Sequence, residues 1–149
     1  MRVALDATPL LGARTGVGRY VGLLVHALRE ELPAADAPAL RLVPLTWRGA
    51  GELASLAPRV AGVATTSRRA PARLLRELWT RGSFPPAELL SGRTDVWHGT
   101  NFVLPPTARA KGVVTVHDLT YRLHPQWVTS DVARYRVLVP AALRRATSA

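Results

Sequence analysis

Apolar and polar positions along the chain follow two periods. Arg2-Val3-Ala4-Leu5-Asp6-Ala7 is a short continuous apolar run, the pattern of a strand covered on both faces of a parallel sheet, and Pro9 and Gly12 end it. From Val17 the apolar residues Val17, Tyr20, Val21, Leu24, Val25, Leu28 and Leu32 recur at steps of three and four, laying one stripe along a helix that Pro33 closes. Arg19, Gly22, His26 and Arg29 fall on its opposite face. Leu40 to Leu45 reads as a second strand, with Pro44 at an edge or at the strand's end because proline has no amide to give a sheet.

Farther along, Glu52 to Pro58 predicts a helix and Val60 to Thr66 a third strand. Pro71 opens another helix through Leu74, Leu75, Leu78 and Trp79, stopped near Gly82 and Pro85-Pro86, and Ala87 to Leu90 forms a short one. Asp95 to His98 and Gly112 to His117 are two short strands, each ending in histidine. The last helix runs from Ser130, as N-cap, through Val132, Tyr135, Leu138, Val139 and Leu143, with a kink expected at Pro140. Strands alternating with helices predict an α/β domain whose mostly parallel sheet carries helices on both faces. Such sheets bind ligands beyond the carboxyl ends of their strands, which collects Gly12 to Tyr20, His98 to Asn101 and His117-Asp118 along one rim.

Composition narrows the class. A chain of 149 residues fits one domain, and one of this size buries roughly 68–70% of its unfolded surface. The absence of cysteine excludes disulfides and thiolate metal sites. Met1-Arg2 leads into an apolar run that Asp6 interrupts, too short for a signal peptide, and no run reaches the roughly 18 apolar residues of a membrane span. A cytoplasmic protein is the expectation. The net charge of +10 raises the question of an anionic partner. Lys111 is the sole lysine, and the bias toward arginine fits coding composition as well as a binding surface. The densest basic segment, Arg68 to Arg93, holds only Trp79 and Phe84 as aromatics, against the stacking rings or reading helix of a nucleic-acid site. A solvated helix face and a contact with an anionic membrane are its two other readings.

The glycine loop matches neither standard nucleotide fingerprint: Gly16 and Gly18 are spaced as in a dinucleotide loop, but Gly22 comes one position late, and no lysine follows a glycine as a P-loop requires. What remains is general. Glycines admit a ligand close to the backbone, and the N–H groups of a helix starting there can face an anion; a turn needing glycine for its dihedrals alone is the other reading. His98 and His117 are candidate proton-handling groups, each also readable as a structural strand-end histidine. No carboxylate pair suits glycosidase chemistry and no cluster has metal-ligand spacing. Thr100 and Asn101 are neutral donors and acceptors of the kind that read sugar hydroxyls.

Taken in order, the opening strand, Thr15-Gly16-Val17-Gly18-Arg19-Tyr20, Asp95 to Asn101, Val114-Thr115-Val116-His117-Asp118-Leu119, Arg134-Tyr135 and Pro140 to Ala146 resemble the amino-terminal half of group 1 (family 4) glycosyltransferases, most of all bacterial mannosyltransferase-like members. The resemblance covers essentially the whole chain. It implies a Rossmann-like three-layer domain, one half of the two-domain GT-B arrangement, with residues 1–149 as the acceptor-side domain and the carboxy-terminal donor-binding domain absent from this chain. It further implies retaining transfer from a nucleotide sugar, with GDP-mannose a candidate donor, and no bound metal or other cofactor. Gly16, Val17 and Gly18 would approach the donor diphosphate and sugar. His117 would be the catalytic cleft residue, positioning the sugar while the donor phosphate helps remove the acceptor proton. Arg14, Thr100, Asn101 and Asp118 would contact a sugar or lipid-linked acceptor, and the basic segment an anionic membrane surface that would hold the protein peripherally at its inner face. Alone, such a half is expected to fold without turning over. The competing expectations are a stand-alone Rossmann-like module that binds a nucleotide or sugar phosphate, and a basic peripheral membrane-binding protein.

Overall fold

The computed structural model describes residues 1–12, 15–31, 40–46, 50–56, 63–66 and 71–148. Five strands form the sheet: β1 (Val3–Asp6), β2 (Leu40–Val43), β3 (Val63–Thr65), β4 (Val96–Gly99) and β5 (Lys111–Val114). Their spatial order is β3-β2-β1-β4-β5 and every pairing is parallel, with Leu5 opposite Leu42 on one side and His98 on the other. The chain therefore winds outward from β1 in one direction and then returns to its other side. This is a Rossmann-like three-layer α/β fold, and the reversal lies between β1 and β4.

Helices α1 (Gly16–Glu31) and α2 (Ala50–Leu56) cover one face, where Val21, Val25 and Leu53 pack on Val3, Leu5, Leu40 and Leu42. On the other, α3 (Ala72–Arg81), α4 (Glu88–Ser91) with its N-cap Ala87, and α7 (Tyr135–Arg145) bring Leu75, Trp79, Ala87, Leu138 and Ala142 against Ala4, Val43, Trp97 and Val114. Strand β1 is buried at all four positions, which explains its unbroken apolar run: a central parallel strand has no solvent face. The remaining helices, α5 (Thr120–Leu123) and α6 (Ser130–Ala133), lie beside the carboxyl end of β5 with a 3-10 turn, Pro125–Trp127, between them.

Several elements differ from the sequence expectation for identifiable reasons. Strand β5 ends at Val114 instead of His117, because the backbone leaves the ladder after the Thr115 amide bonds to the Gly99 carbonyl. His117 accordingly sits on the loop beyond the sheet. The last helix breaks at Arg134 and continues through Pro140, whose missing donor falls within a helix otherwise buried at Leu138, Val139, Ala141 and Ala142. Burial of that face outweighs the lost hydrogen bond. Leu32, Pro33, Pro58 and Val60, which bounded expected elements, lie outside the described residues.

Candidate functional site

The carboxyl ends of the parallel strands share one edge, and the segments that follow β1, β4 and β5 meet there. After β1 the chain makes a 3-10 turn, Thr8–Leu10, then a left-handed residue at Gly12 (φ +77°) whose amide donates to Glu52 Oε1 at 3.1 Å. Helix α1 follows, with the Thr15 hydroxyl accepting from the Gly18 amide at 3.3 Å, an N-cap bond. Among the described residues the amides of Gly16 and Val17 have no acceptor. They are two oriented donors at the positive end of a 16-residue helix.

The glycines of this turn divide by role. A Cβ at Gly18 would stand 2.5 Å from the Pro9 carbonyl oxygen, so that glycine lets α1 pack on the 3-10 turn. A Cβ at Gly16 would meet nothing within 4 Å. Space beside Gly16 is open to whatever approaches the helix end.

His117 is held from three sides. Its Nε2 lies 2.9 Å from the Thr100 carbonyl oxygen, which can only accept, so Nε2 is the donor of this bond and, in the tautomer with one proton, Nδ1 is an acceptor. Tyr20 meets the imidazole edge-on at 5.2 Å between centroids and Phe102 does so at 5.5 Å. Phe102 adopts φ +61°, a conformation unfavourable for a bulky residue, while its amide donates to the Thr115 carbonyl. His98 takes a different part. Its Nε2 is 2.8 Å from Thr115 Oγ1, which also bonds the Tyr20 hydroxyl at 3.1 Å, and burial pushes its basicity down. That chain of hydroxyls ties α1 to β4 and to the segment after β5.

The other expected site residues separate. Thr100 is fully buried and its hydroxyl donates to the Asp6 carbonyl at 2.6 Å, so it joins the segments after β4 and β1 and gives His117 its carbonyl. Asn101 remains half-exposed on the rim. Asp118 is exposed, with Oδ1 accepting from the Thr120 amide at 2.8 Å at the start of α5. Arg14 lies outside the described residues, as do Arg68 and Arg69 of the basic segment. Arg73, Arg76 and Arg81 stand exposed on α3.

One rim residue carried no sequence signal of its own. Asp6, the last residue of β1, is only 5% exposed. Thr8 donates to its Oδ1 twice, from the amide at 2.9 Å and from the hydroxyl at 2.5 Å. Burial pushes the Asp6 carboxyl up, and the opposing Thr8 hydrogen bonds and Arg76 charge do not cancel it. A single aspartate ending an apolar run looks like a strand terminator; its position at the sheet's reversal is what makes it a candidate.

No protein-family model matches the chain, and neither a curated protein nor a solved structure matches it significantly. Among the described residues no helix is long and apolar enough to cross a membrane, and no three His, Asp or Glu side chains are grouped to hold a metal ion. The architecture is of the kind that accommodates nucleotides and sugar phosphates at the crevice between β1 and β4.

Proposed function

We propose that this rim binds a nucleotide or sugar phosphate, its phosphate at the amides of Gly16 and Val17 and its sugar beside His117. The observation that carries the reading is the contact between Tyr20 and His117, which joins two motifs far apart in sequence at one place. Oriented backbone donors suit an anionic group, and an imidazole whose Nδ1 is an acceptor suits a hydroxyl.

The finer reading is that the chain forms the acceptor-side wall of a retaining glycosyltransferase of the group 1 family. The order of motifs supports it, as does their convergence on the carboxyl edge of a Rossmann-like sheet. In that reaction His117 positions the transferred sugar, and a donor-side domain supplies the groups that hold the diphosphate from across the cleft. Charge developing in the transition state then meets donors from two walls, so residues 1–149 bind ligand without turning it over.

Calorimetric titration of a nucleotide-sugar panel onto the chain, its Gly16→Ala variant and its His117→Ala variant tests both levels. The expected result is weak binding to the parent, reduced by about tenfold in each variant: the alanine methyl at position 16 occupies the open approach to the helix end, and the His117 variant loses one ring hydrogen bond. Equal affinity across all three would remove the rim as the binding site. Steady sugar transfer by residues 1–149 alone would overturn the division of labour between two domains.

A further inference from the structure

A recess of about 90 Å³ opens between the 3-10 turn after β1 and the loop after β4, with Asp6, Thr8, Arg76 and Asn101 as its polar lining and Leu45 and Val103 among its apolar walls. Its floor is unusual. Asp6 is 95% buried by its 5% exposure, forms no ion pair among the described residues, and uses Oδ1 for both bonds from Thr8. No described residue donates to Oδ2. Thr8 cannot turn to serve it, because its hydroxyl also accepts from the Leu45 amide at 2.8 Å. Among the described residues the side-chain atoms sealed away without a partner are Thr66 Oγ1 and Trp97 Nε1, and not Oδ2, which is therefore accessible from the recess that Asp6 lines and is an acceptor open to a ligand.

We propose that this recess is a subsite for the hydroxyl groups of a neutral sugar or polyol, with Asp6 Oδ2 accepting from one hydroxyl while Asn101 and Arg76 donate to it or its neighbour. The inference deepens the sugar-phosphate reading of the rim and rests on it for the rest of the ligand. The lining itself selects the chemistry. A phosphate is repelled by the carboxylate at the floor, and an ammonium group by the Arg76 guanidinium, whose field reaches Asp6. Calcium or magnesium takes six or more oxygen ligands, and zinc three or four His, Cys or carboxylate ligands, both beyond one carboxylate and one amide. A hydroxyl both donates and accepts, which matches an acceptor floor beneath a donor mouth. The space holds several water molecules, enough for two vicinal hydroxyls and the two carbons that bear them. The Pro9 carbonyl against which Gly18 packs belongs to the same turn that walls the recess, so the subsite adjoins the amino-terminal end of α1.

Two-dimensional amide NMR of the isotopically labelled chain tests this, with methyl α-glycosides of several hexoses as one set of probes and inorganic phosphate as another. The glycosides are expected to shift the Thr8 and Asn101 amides saturably, and phosphate the Gly16 and Val17 amides. Asp6→Asn and the exposed-site variant Arg76→Gln should each weaken the glycoside response by about tenfold and leave the phosphate response unchanged. Asp6→Asn retains an oxygen for Thr8 and is expected to fold: its melting temperature at neutral pH should equal or exceed that of the parent. The difference should close in acid, because a carboxyl with a raised folded pKa gains stability for the parent as pH falls toward the ordinary aspartate range. Phosphate shifts at α1 without any glycoside shift at Thr8 and Asn101 would overturn the subsite and leave the anion site standing. Glycoside shifts that disappear in both variants, with no phosphate response, would support the subsite and count against the anion site. Glycoside affinity unchanged in Asp6→Asn and Arg76→Gln would overturn it outright.

Discussion

A Cβ added at Gly18 would lie 2.5 Å from the Pro9 carbonyl oxygen, a backbone atom that cannot swing aside. Alanine is worth about 1 kcal/mol more than glycine inside a helix, whereas forcing a methyl into a packed contact costs about 1–3 kcal/mol. The clash prevails here because the 3-10 turn is fixed at both ends, by Thr8 on Asp6 and by Gly12 on Glu52. Gly18→Ala should therefore destabilise the chain by about 1–2 kcal/mol in urea unfolding, while Gly16→Ala, facing open space at the start of α1, should unfold at the parent's midpoint or above it. A lower midpoint for Gly16→Ala would deny that turn its free approach. Phe102 meets a different constraint. Its left-handed backbone costs about 1–3 kcal/mol, and its ring is repaid in contacts: edge-on to His117 and Tyr121, stacked on Tyr135 at 4.6 Å.

Between elements, Glu88 of α4 ties a loop to the helix layer through three backbone amides. Its carboxylate accepts from the amides of Ala108, Arg109 and Ala110 at 2.9–3.0 Å, fastening the turn before β5 to the helix layer. Burial alone would push the Glu88 carboxyl up, but the backbone donors together hold it below the ordinary glutamate value. The group binds its proton less tightly when folded, so its contribution is complete above the ordinary glutamate pKa and is lost as pH falls below it. Glu88→Ala should cost about 1–2 kcal/mol at pH 7, discounted for the partial exposure of these amides, and progressively less toward pH 3 in chemical denaturation. A pH-independent difference would assign the loss to packing. Elements of this kind mark the limit of what the sequence discloses. The runs at Val3–Asp6 and Leu40–Val43 and the stripe of α1 were legible, since periodicity reports which faces are buried. The end of β5 and the break at Arg134 were not, because they depend on which carbonyl each amide finds across the fold. Likewise His117 and the Gly16 turn could be picked out as candidates, while Asp6 and the inward turn of Thr100 required knowing that β1 and β4 are neighbours.

At the scale of the molecule, every strand pairing is parallel, so none closes through a hairpin. The seam between β1 and β4 is the most demanding of those leading to the rim: Val3 pairs with Val96, and the Arg2 amide reaches the Asp95 carboxylate across 93 positions. Closing so long a loop is entropically expensive and returns little until both sheet faces are covered, which makes such pairings late events in folding. The residues that build the rim lie on either side of this one seam: Asp6 and Thr8 before it, Thr100 and Asn101 after it, with His117 hung from Thr100. In stopped-flow refolding from urea, glycoside binding should thus return with the rate constant of the last phase, when Trp97 becomes buried. Binding in an earlier phase would show the rim assembling without its seam. The consequence is temporal: a partly folded chain has no half-formed version of this site, and ligand recognition marks the moment the sheet is complete.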